Sequence, residues 1–222
     1  MIKNVIFDIG AVLIDWNPRY YYHQMTKDEA KVEKFLTEVC NFEWNHKLDL
    51  GRPWDDARAE VMAKYPEFEE MIDAYWHNWP EMISSPIHES VDILMDIKKR
   101  GFPVYALSNW NDITFQVALQ EFPFLRLFDG RIISGEVKIA KPDLRIYQLL
   151  LDTYNLNPRE SLFIDDRLDN VESARALGIE AVQFISPRQL EQDLIQYGVI
   201  PVGDDDDTDP AMGCGAGCAC HS

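Results

Sequence analysis

The apolar run Val5-Ile6-Phe7 begins only a few residues into the chain and stops at Asp8, with Gly10 two positions on. No other stretch constrains the fold as much. A short, uninterrupted apolar run fits a strand buried on both faces, the situation of a strand inside a parallel sheet. In open α/β sheets ligands bind outside the carboxyl ends of the strands. Asp8 would then stand at the reactive edge while the strand behind it stays dry. Taken alone, Asp8 fits equally well as a cap on the following turn.

Beyond Trp16-Asn17-Pro18 the periodicity becomes helical. Val32, Phe35, Leu36, Val39 and Cys40 share one helix face. Pro53 holds a favoured first-turn position of a second helix, with Trp54, Ala57 and Val61 on one side. Phe68, Met71, Ile72, Tyr75, Trp76 and Trp79 stripe a third. Residues 17–83 therefore predict a small helical unit without a strand. From Ile87 helix and strand alternate. A helix with Ile87, Val91 and Leu94 inward ends at Lys98-Lys99-Arg100-Gly101, a basic last turn followed by glycine. Strands are expected at 103–107, 131–133, 162–164 and 181–185, with helices between them and a last helix through Leu190, Leu194 and Tyr197. This alternation predicts an α/β fold, a parallel sheet covered on both faces through right-handed crossovers. The expected organisation is a core of residues 1–16 and 84–200, a helical cap of residues 17–83, and a disordered tail of residues 201–222.

The charge balance narrows the partners. Lys and Arg number 21 against 38 Asp and Glu, a formal net charge of −17. Asp204, Asp205, Asp206, Asp207 and Asp209 lie in the tail, and without them −12 remains. So acidic a surface repels phosphate backbones and anionic lipid, which argues against nucleic acid and membrane as partners. No apolar run reaches the roughly 18 residues of a membrane span. Met1-Ile2-Lys3-Asn4 leads straight into the first strand with no basic-then-apolar leader, so a cytoplasmic location is expected. Of the four cysteines only Cys40 lies in the body of the chain, which leaves no disulfide framework there. Cys214, Cys218, Cys220 and His221 could chelate a soft metal, but their spacing matches no structural zinc pattern. The Asp, Gly and Ala around them predict disorder.

Four positions at or just past predicted strand ends carry chemistry. They are Asp8, the pair Ser108-Asn109, Lys141 within Ala140-Lys141-Pro142-Asp143, and Asp165-Asp166 with Asn170 shortly after. Each has a bland alternative. Ser108 or Asn109 could cap a helix, Lys141 could be a solvated cation, and the aspartates could cap the helix after them. Together they make chemical sense. Clustered carboxylates repel one another unless a hard cation sits among them, and oxygen donors of this kind suit Mg²⁺. A lysine and a hydroxyl beside them can hold the oxygens of a phosphoryl group.

In order, the segments FDIGAVLID, ALSN, AKPD and FIDDRLDN resemble the four motifs of the haloacid dehalogenase (HAD) superfamily of hydrolases. The likeness spans about residues 4–197. It implies a Rossmann-like α/β core with residues 17–83 as an inserted helical cap. By this resemblance Asp8 is the nucleophile, Ser108 and Asn109 hold phosphate oxygens, and Lys141 neutralises charge. Asp8, the Gly10 carbonyl and Asp166 would hold Mg²⁺, supported by Asp165 and Asn170. The implied partner is a small phosphorylated metabolite; the oligomeric state is left open. Two activities compete within the superfamily. The 2-haloacid dehalogenases need no metal, typically lack the paired acids, and carry an aromatic two positions and a threonine four positions past the nucleophile. Here those positions are Gly10 and Val12 and the acid pair is present, which favours a phosphatase. FDIG, KPDLRIYQ and DDRLDN are similar to the bacterial branch that includes α-glucose-1-phosphate phosphatase, which implies a sugar phosphate. A catalytically weak binding protein is a third reading, because the usual aspartate two residues past the nucleophile is replaced by Gly10.

All six tryptophans lie between Trp16 and Trp110, and five of them read as filling or edging the cap. Trp110, directly after Ser108-Asn109, is expected to face substrate. His23, His46 and His88 read as surface positions.

Gly10 yields one quantitative expectation. In phosphatases of this type an aspartate there protonates the leaving oxygen, a service typically worth about 10²–10⁴ in rate. Asp15 is the nearest replacement in sequence, though it fits a structural place at the cap hinge as well. With no donor the leaving group must depart as an anion. Aryl phosphates and sugar-1-phosphates should then be cleaved much faster than alkyl or sugar-6-phosphates. A rate series over esters of graded leaving-group acidity should be steep for wild type and shallower for Gly10→Asp. A flat wild-type series would mean that another group supplies the proton.

Overall fold

The computed structural model describes residues 1–201. The expectations for the tail, including Cys214, Cys218, Cys220 and His221, lie outside the described residues. Seven strands occur among those described: β1 (Asn4–Phe7), β2 (Ile14–Trp16), β3 (Ile83–Pro86), β4 (Val104–Ser108), β5 (Gly130–Ile133), β6 (Ser161–Asp165) and β7 (Glu180–Gln183). Five of them form a wholly parallel sheet in the order β5-β4-β1-β6-β7. The apolar run that opens the sequence is thus the central strand, and all four of its residues are buried. The helices are α1 (Arg19–Met25), α2 (Glu29–Lys34), α3 (Phe42–Asp49), α4 (Trp54–Met62), α5 (Glu69–His77), α6 (His88–Lys99), α7 (Asp112–Glu121), α8 (Ser134–Val137), α9 (Leu144–Tyr154), α10 (Leu168–Ala176) and α11 (Pro187–Gln196).

Side chains alternate between the sheet's two faces. Val5, Phe7, Val104, Leu162 and Ile164 pack with Val91, Leu94 and Ile97 of α6 and Leu190 and Leu194 of α11. Ile6, Leu107 and Phe163 pack against Ile146, Tyr147 and Leu150 of α9 and Val171 and Ala174 of α10. The continuous apolar runs of β1 and β6 are therefore required by burial on both sides. Strand β7 ends at Gln183 instead of reaching 185. Phe184 donates one more backbone bond to the Asp165 carbonyl at 2.8 Å, and Ser186 then caps α11, which leaves Ile185 exposed.

Helices α1 to α5 have an apolar core of their own, built on Tyr22, Val32, Phe35, Val39, Trp44, Phe68, Ile72 and Tyr75. Two details differ from the periodicity. After Lys34 the chain widens into a π-helical turn, Phe35–Val39, closed by the Cys40 amide on the Phe35 carbonyl at 2.8 Å. The wider turn keeps Val39 and Cys40 inward while Leu36 is only half-buried. The stretch expected to lack strands also ends in one. β3 starts at Ile83 and pairs antiparallel with β2. This ribbon is too short to leave a period in the sequence. It forms the root on which the helical insert stands.

Strand β5 runs directly into α8, whose Gly135 donates to the Trp110 carbonyl at 3.0 Å. A methyl group on Gly135 would lie 2.8 Å from the Trp110 carbonyl oxygen and 3.0 Å from the Asn111 carbonyl carbon, both backbone atoms that cannot rotate away. Gly135→Ala should therefore displace the loop after β4 and cost about 1–3 kcal/mol. Urea unfolding of the variant measures this. An unchanged midpoint would mean that the loop yields freely.

Candidate active site

The sheet order sets Ser108, Asp8 and Asp165 at the carboxyl ends of three adjacent strands, β4, β1 and β6. Phe7 registers with Ile164, so Asp8 and Asp165 leave neighbouring strands at the same level. Lys141 arrives between them from the loop before α9. Its Nζ lies 3.0 Å from Asp8 Oδ1 and 2.6 Å from Asp165 Oδ2. All three side chains are nearly or wholly buried.

Each member is held by something else. The Asp8 Oδ1 accepts the Ile9 amide at 2.7 Å. Both Asp165 oxygens accept from Asn170 Nδ2, at 2.9 and 3.1 Å, and Oδ1 also accepts the Arg167 amide at 2.9 Å. Asn109 clamps the lysine loop, with Nδ2 donating to the Lys141 carbonyl at 2.9 Å and Oδ1 accepting the Lys141 amide at 2.8 Å. One hydrogen of the Asn109 amide and one of the Lys141 ammonium are left for another acceptor. Ser108 is buried at the end of β4.

The electrostatics follow from burial. Loss of water pushes the Asp8 carboxyl up to about 7; Lys141 pulls it back, while Asp165 and Asp166 add to the rise. Burial alone would lower Lys141, but Asp165 and then Asp8 hold it above its ordinary value, so it stays charged. Asp166 is raised by burial and then by Asp165. Carboxylate oxygens of Asp8, Asp165 and Asp166 lie within 4.8 Å of one another. Three carboxylates against one lysine leave an excess of negative charge at an all-oxygen site, which fits a hard divalent cation. Asp165 is already saturated by Lys141, Asn170 and Arg167. The oxygens with room for a cation belong to Asp8 and Asp166.

Above this edge are two spaces that share part of their lining. A cavity of about 110 Å³ is lined by Gly10, Trp16, Asp49, Trp79, Asn109 and Trp110, among others. A wider cleft reaches Asp8, Lys141, His46 and Arg167. Trp110 borders the inner cavity, and its ring also packs against Trp79 and Phe115, 5.6 Å from each. Trp44 and Trp54 belong to the core of the insert. His46, read as a surface residue, borders the cleft, and burial followed by Arg167 lowers its pKa. Asp15 lines neither space; its carboxylate accepts the Tyr20 hydroxyl at 2.8 Å beside the ribbon.

Sequence reasoning missed Asp49, the last residue of α3. It borders both spaces, and burial, with Asp8 as the second cause, pushes its carboxyl up to about 8. Nothing in Lys47-Leu48-Asp49-Leu50 marks that aspartate, because its importance lies in what the insert is folded against.

A family model described as haloacid dehalogenase-like hydrolase matches residues 2–178. The (S)-2-haloacid dehalogenase 4A of Burkholderia cepacia is 33% identical over 193 residues, 82% of this chain and 83% of that protein. The sesquiterpene phosphatase astK of Aspergillus oryzae is 28% identical over 178 residues, 80% of this chain and 87% of that protein. Against the drimenol cyclase drtB of Aspergillus calidoustus the match covers 87% of this chain but only 36% of that longer protein, at 25% identity. Among solved structures, a HAD family enzyme of Bacteroides thetaiotaomicron in complex with magnesium and inorganic phosphate aligns with a TM-score of 0.63 at 25% identity. That alignment covers 82% of this chain and 94% of that one.

The raised Asp8 carboxyl makes a prediction about stability. Its ordinary value is 3.8 and its folded value about 7, so between these the native state keeps a proton that the unfolded state has released. Stability must then fall as pH rises through that window. In metal-free buffer, Asp8→Asn should melt progressively higher than wild type as pH is raised from about 4 to 7, by roughly 4 °C or more at the upper end. Melting curves recorded with a chelator test this. A difference that does not change with pH would mean that Lys141 fully compensates the buried charge.

Proposed function

The chain belongs to the haloacid dehalogenase-like hydrolases, and from that premise we propose that it is a Mg²⁺-dependent phosphatase that hydrolyses a small phosphate monoester, a sugar phosphate, through an aspartyl-phosphate on Asp8. The observation that carries this reading is the gathering of one buried lysine with three carboxylates. Lys141 bridges Asp8 and Asp165, and Asp166 adds a negative charge that no side chain in the group balances. A dianionic phosphate could not approach such a cluster unless a cation offset it.

Asp8 attacks phosphorus from the end of its strand, where burial has removed the water that would otherwise blunt it. Lys141 balances charge on the phosphoryl oxygens with its remaining hydrogen, while Asp165 and Asn170 keep its ammonium aimed. The Ser108 hydroxyl and the second amide hydrogen of Asn109 donate to the same oxygens. Mg²⁺ held by Asp8, the Gly10 carbonyl and Asp166 would supply charge neutralisation when bound. Residues 17–83 act as a cap over the core of residues 1–16 and 84–200, and the partner is a phosphorylated metabolite. For a sugar, support comes from the rings of Trp16, Trp79 and Trp110 lining the inner cavity and from the Trp16 Nε1–H, a buried donor without a partner among the described residues. The relative that is a dehalogenase at 33% identity keeps a second reading open: the same Asp8 displacing halide from a 2-haloacid without metal.

A screen of phosphate esters with and without Mg²⁺ separates the two. Mg²⁺ should be required for phosphate release and should raise the melting temperature. Asp166→Ala should abolish that thermal response. Asp8→Asn should lower turnover about 10³-fold or more while the protein stays folded. Metal-independent halide release from 2-chloropropionate, with no phosphate release from any ester, would overturn the reading.

A further inference from the structure

Glycine at position 10 leaves the leaving oxygen without a proton donor beside the nucleophile, and the helical insert brings a carboxyl group, Asp49, to the cavity that Gly10 lines and to the cleft that Asp8 lines. We propose that Asp49 is the general acid and base of this enzyme, acting from the insert in place of a side chain at position 10. The proposal deepens the phosphatase reading and rests on it.

Five residues border both the inner cavity and the cleft that holds Asp8 and Lys141: Trp16, Asn45, Asp49, Tyr75 and Asn109. Asp49 is the one that can exchange a proton near neutral pH. Tyr75 is pushed well above its ordinary range by burial, and Trp16, Asn45 and Asn109 do not titrate there. His46 borders the cleft but not the cavity that contains Gly10.

The Asp49 carboxyl is oriented from behind. Its Oδ2 accepts Asn45 Nδ2 at 3.0 Å, and Asn45 Oδ1 accepts the Tyr75 hydroxyl at 3.0 Å. One oxygen is thereby spent on the insert and the other is left for substrate. The residue is also positioned by the core. A helix end leaves carbonyls without partners, and those at the end of α3 are met by core side chains. Asn111 Nδ2 donates to the Leu48 carbonyl at 2.9 Å and Ser134 Oγ to the Asp49 carbonyl at 2.5 Å. Gly51, with φ +78°, permits this approach, since a Cβ there would lie 2.9 Å from the Gly135 carbonyl oxygen. Burial then favours the protonated acid at neutral pH.

In the first step an Asp8 oxygen bonds to phosphorus as the bond from phosphorus to the leaving oxygen breaks, and the Asp49 proton passes to that oxygen. The alcohol leaves neutral and Asp49 is left as a carboxylate. In the second step Asp49 takes a proton from water as its oxygen attacks phosphorus. Phosphate departs, the Asp8 carboxylate is restored, and Asp49 is again protonated.

The steep dependence on leaving group expected from Gly10 alone should accordingly be absent in wild type and appear in Asp49→Asn. With Mg²⁺ present, Asp49→Asn should lose about 10²–10⁴-fold on alkyl and sugar-6-phosphates and less than about tenfold on p-nitrophenyl phosphate, whose leaving group needs no proton. A melting curve and Asp49→Ala check that the loss is not one of folding. Placing a carboxyl at position 10, where a Cβ meets nothing within 4 Å, supplies a rescue. Gly10→Asp in the Asp49→Asn background should restore at least about tenfold on alkyl esters, which a merely structural Asp49 would not allow. Equal loss on all esters, no loss, or no rescue would overturn the assignment to Asp49 while leaving the phosphatase reading intact. A wild type that hydrolyses no phosphate ester would overturn both.

Discussion

The buried ammonium of Lys141, set between Asp8 and Asp165, is the contact on which the rest of the site depends. A charged lysine removed from water survives only if partners replace the lost hydration, and removing one partner from such a group is costly. Asp165 is spent almost entirely on this task, since its oxygens are also taken by Asn170 and the Arg167 amide. Asp8 is shared, touching the lysine with one oxygen and keeping the other. Of the two adjacent aspartates, Asp165 ends β6 and carries the lysine, while Asp166, just past the strand, joins Asp8 and Asp165 in a cluster of carboxylate oxygens within 4.8 Å of one another.

That arrangement places demands well away from the charges. Lys141 reaches Asp8 because Asn109 holds its backbone from the end of β4 and because Asp143 caps α9 directly after it. β1 and β6 must be neighbours in register for the two acids to share one ammonium. Tyr147 of α9 ties to the Asn170 carbonyl at 3.0 Å, so the element after the lysine also steadies the residue that orients Asp165. Position in the sheet, loop anchoring and charge balance form one connected constraint, in which no part is satisfied without the others.

The helical insert answers to the same edge. Its own core would hold it together as a unit, but Asn111 and Ser134 fix the end of α3 to the core of the molecule. Each such hydrogen bond contributes about 1 kcal/mol to holding that end in place. Relatives with phosphatase and dehalogenase names share this scaffold. On the phosphatase reading proposed above, the distinction between such chemistries would lie in the side chains around Asp8, above all in Asp166 just past β6 and in what stands at positions 10 and 12.

Much of this was legible in the sequence. The apolar runs of β1 and β6 announce strands covered on both faces, and polar residues that interrupt them at their carboxyl ends mark the edge where Asp8, Ser108 and Asp165 meet. Such signals are local, because burial on both faces and a strand's end leave their mark within a few residues. The π-helical turn at Phe35, the β2–β3 ribbon and α8 left no such mark, being too short for a period to develop. Asp49 lay beyond sequence reading for a different reason. Its neighbours along the chain give it an ordinary helix end, and its meaning comes from Asp8, 41 positions earlier, and from Ser134, 85 positions later. Only the docking of the insert onto the core brings Asp49 to the lining it shares with Asp8 and Gly10, and burial there, with Asp8 as the second cause, raises its carboxyl to about 8.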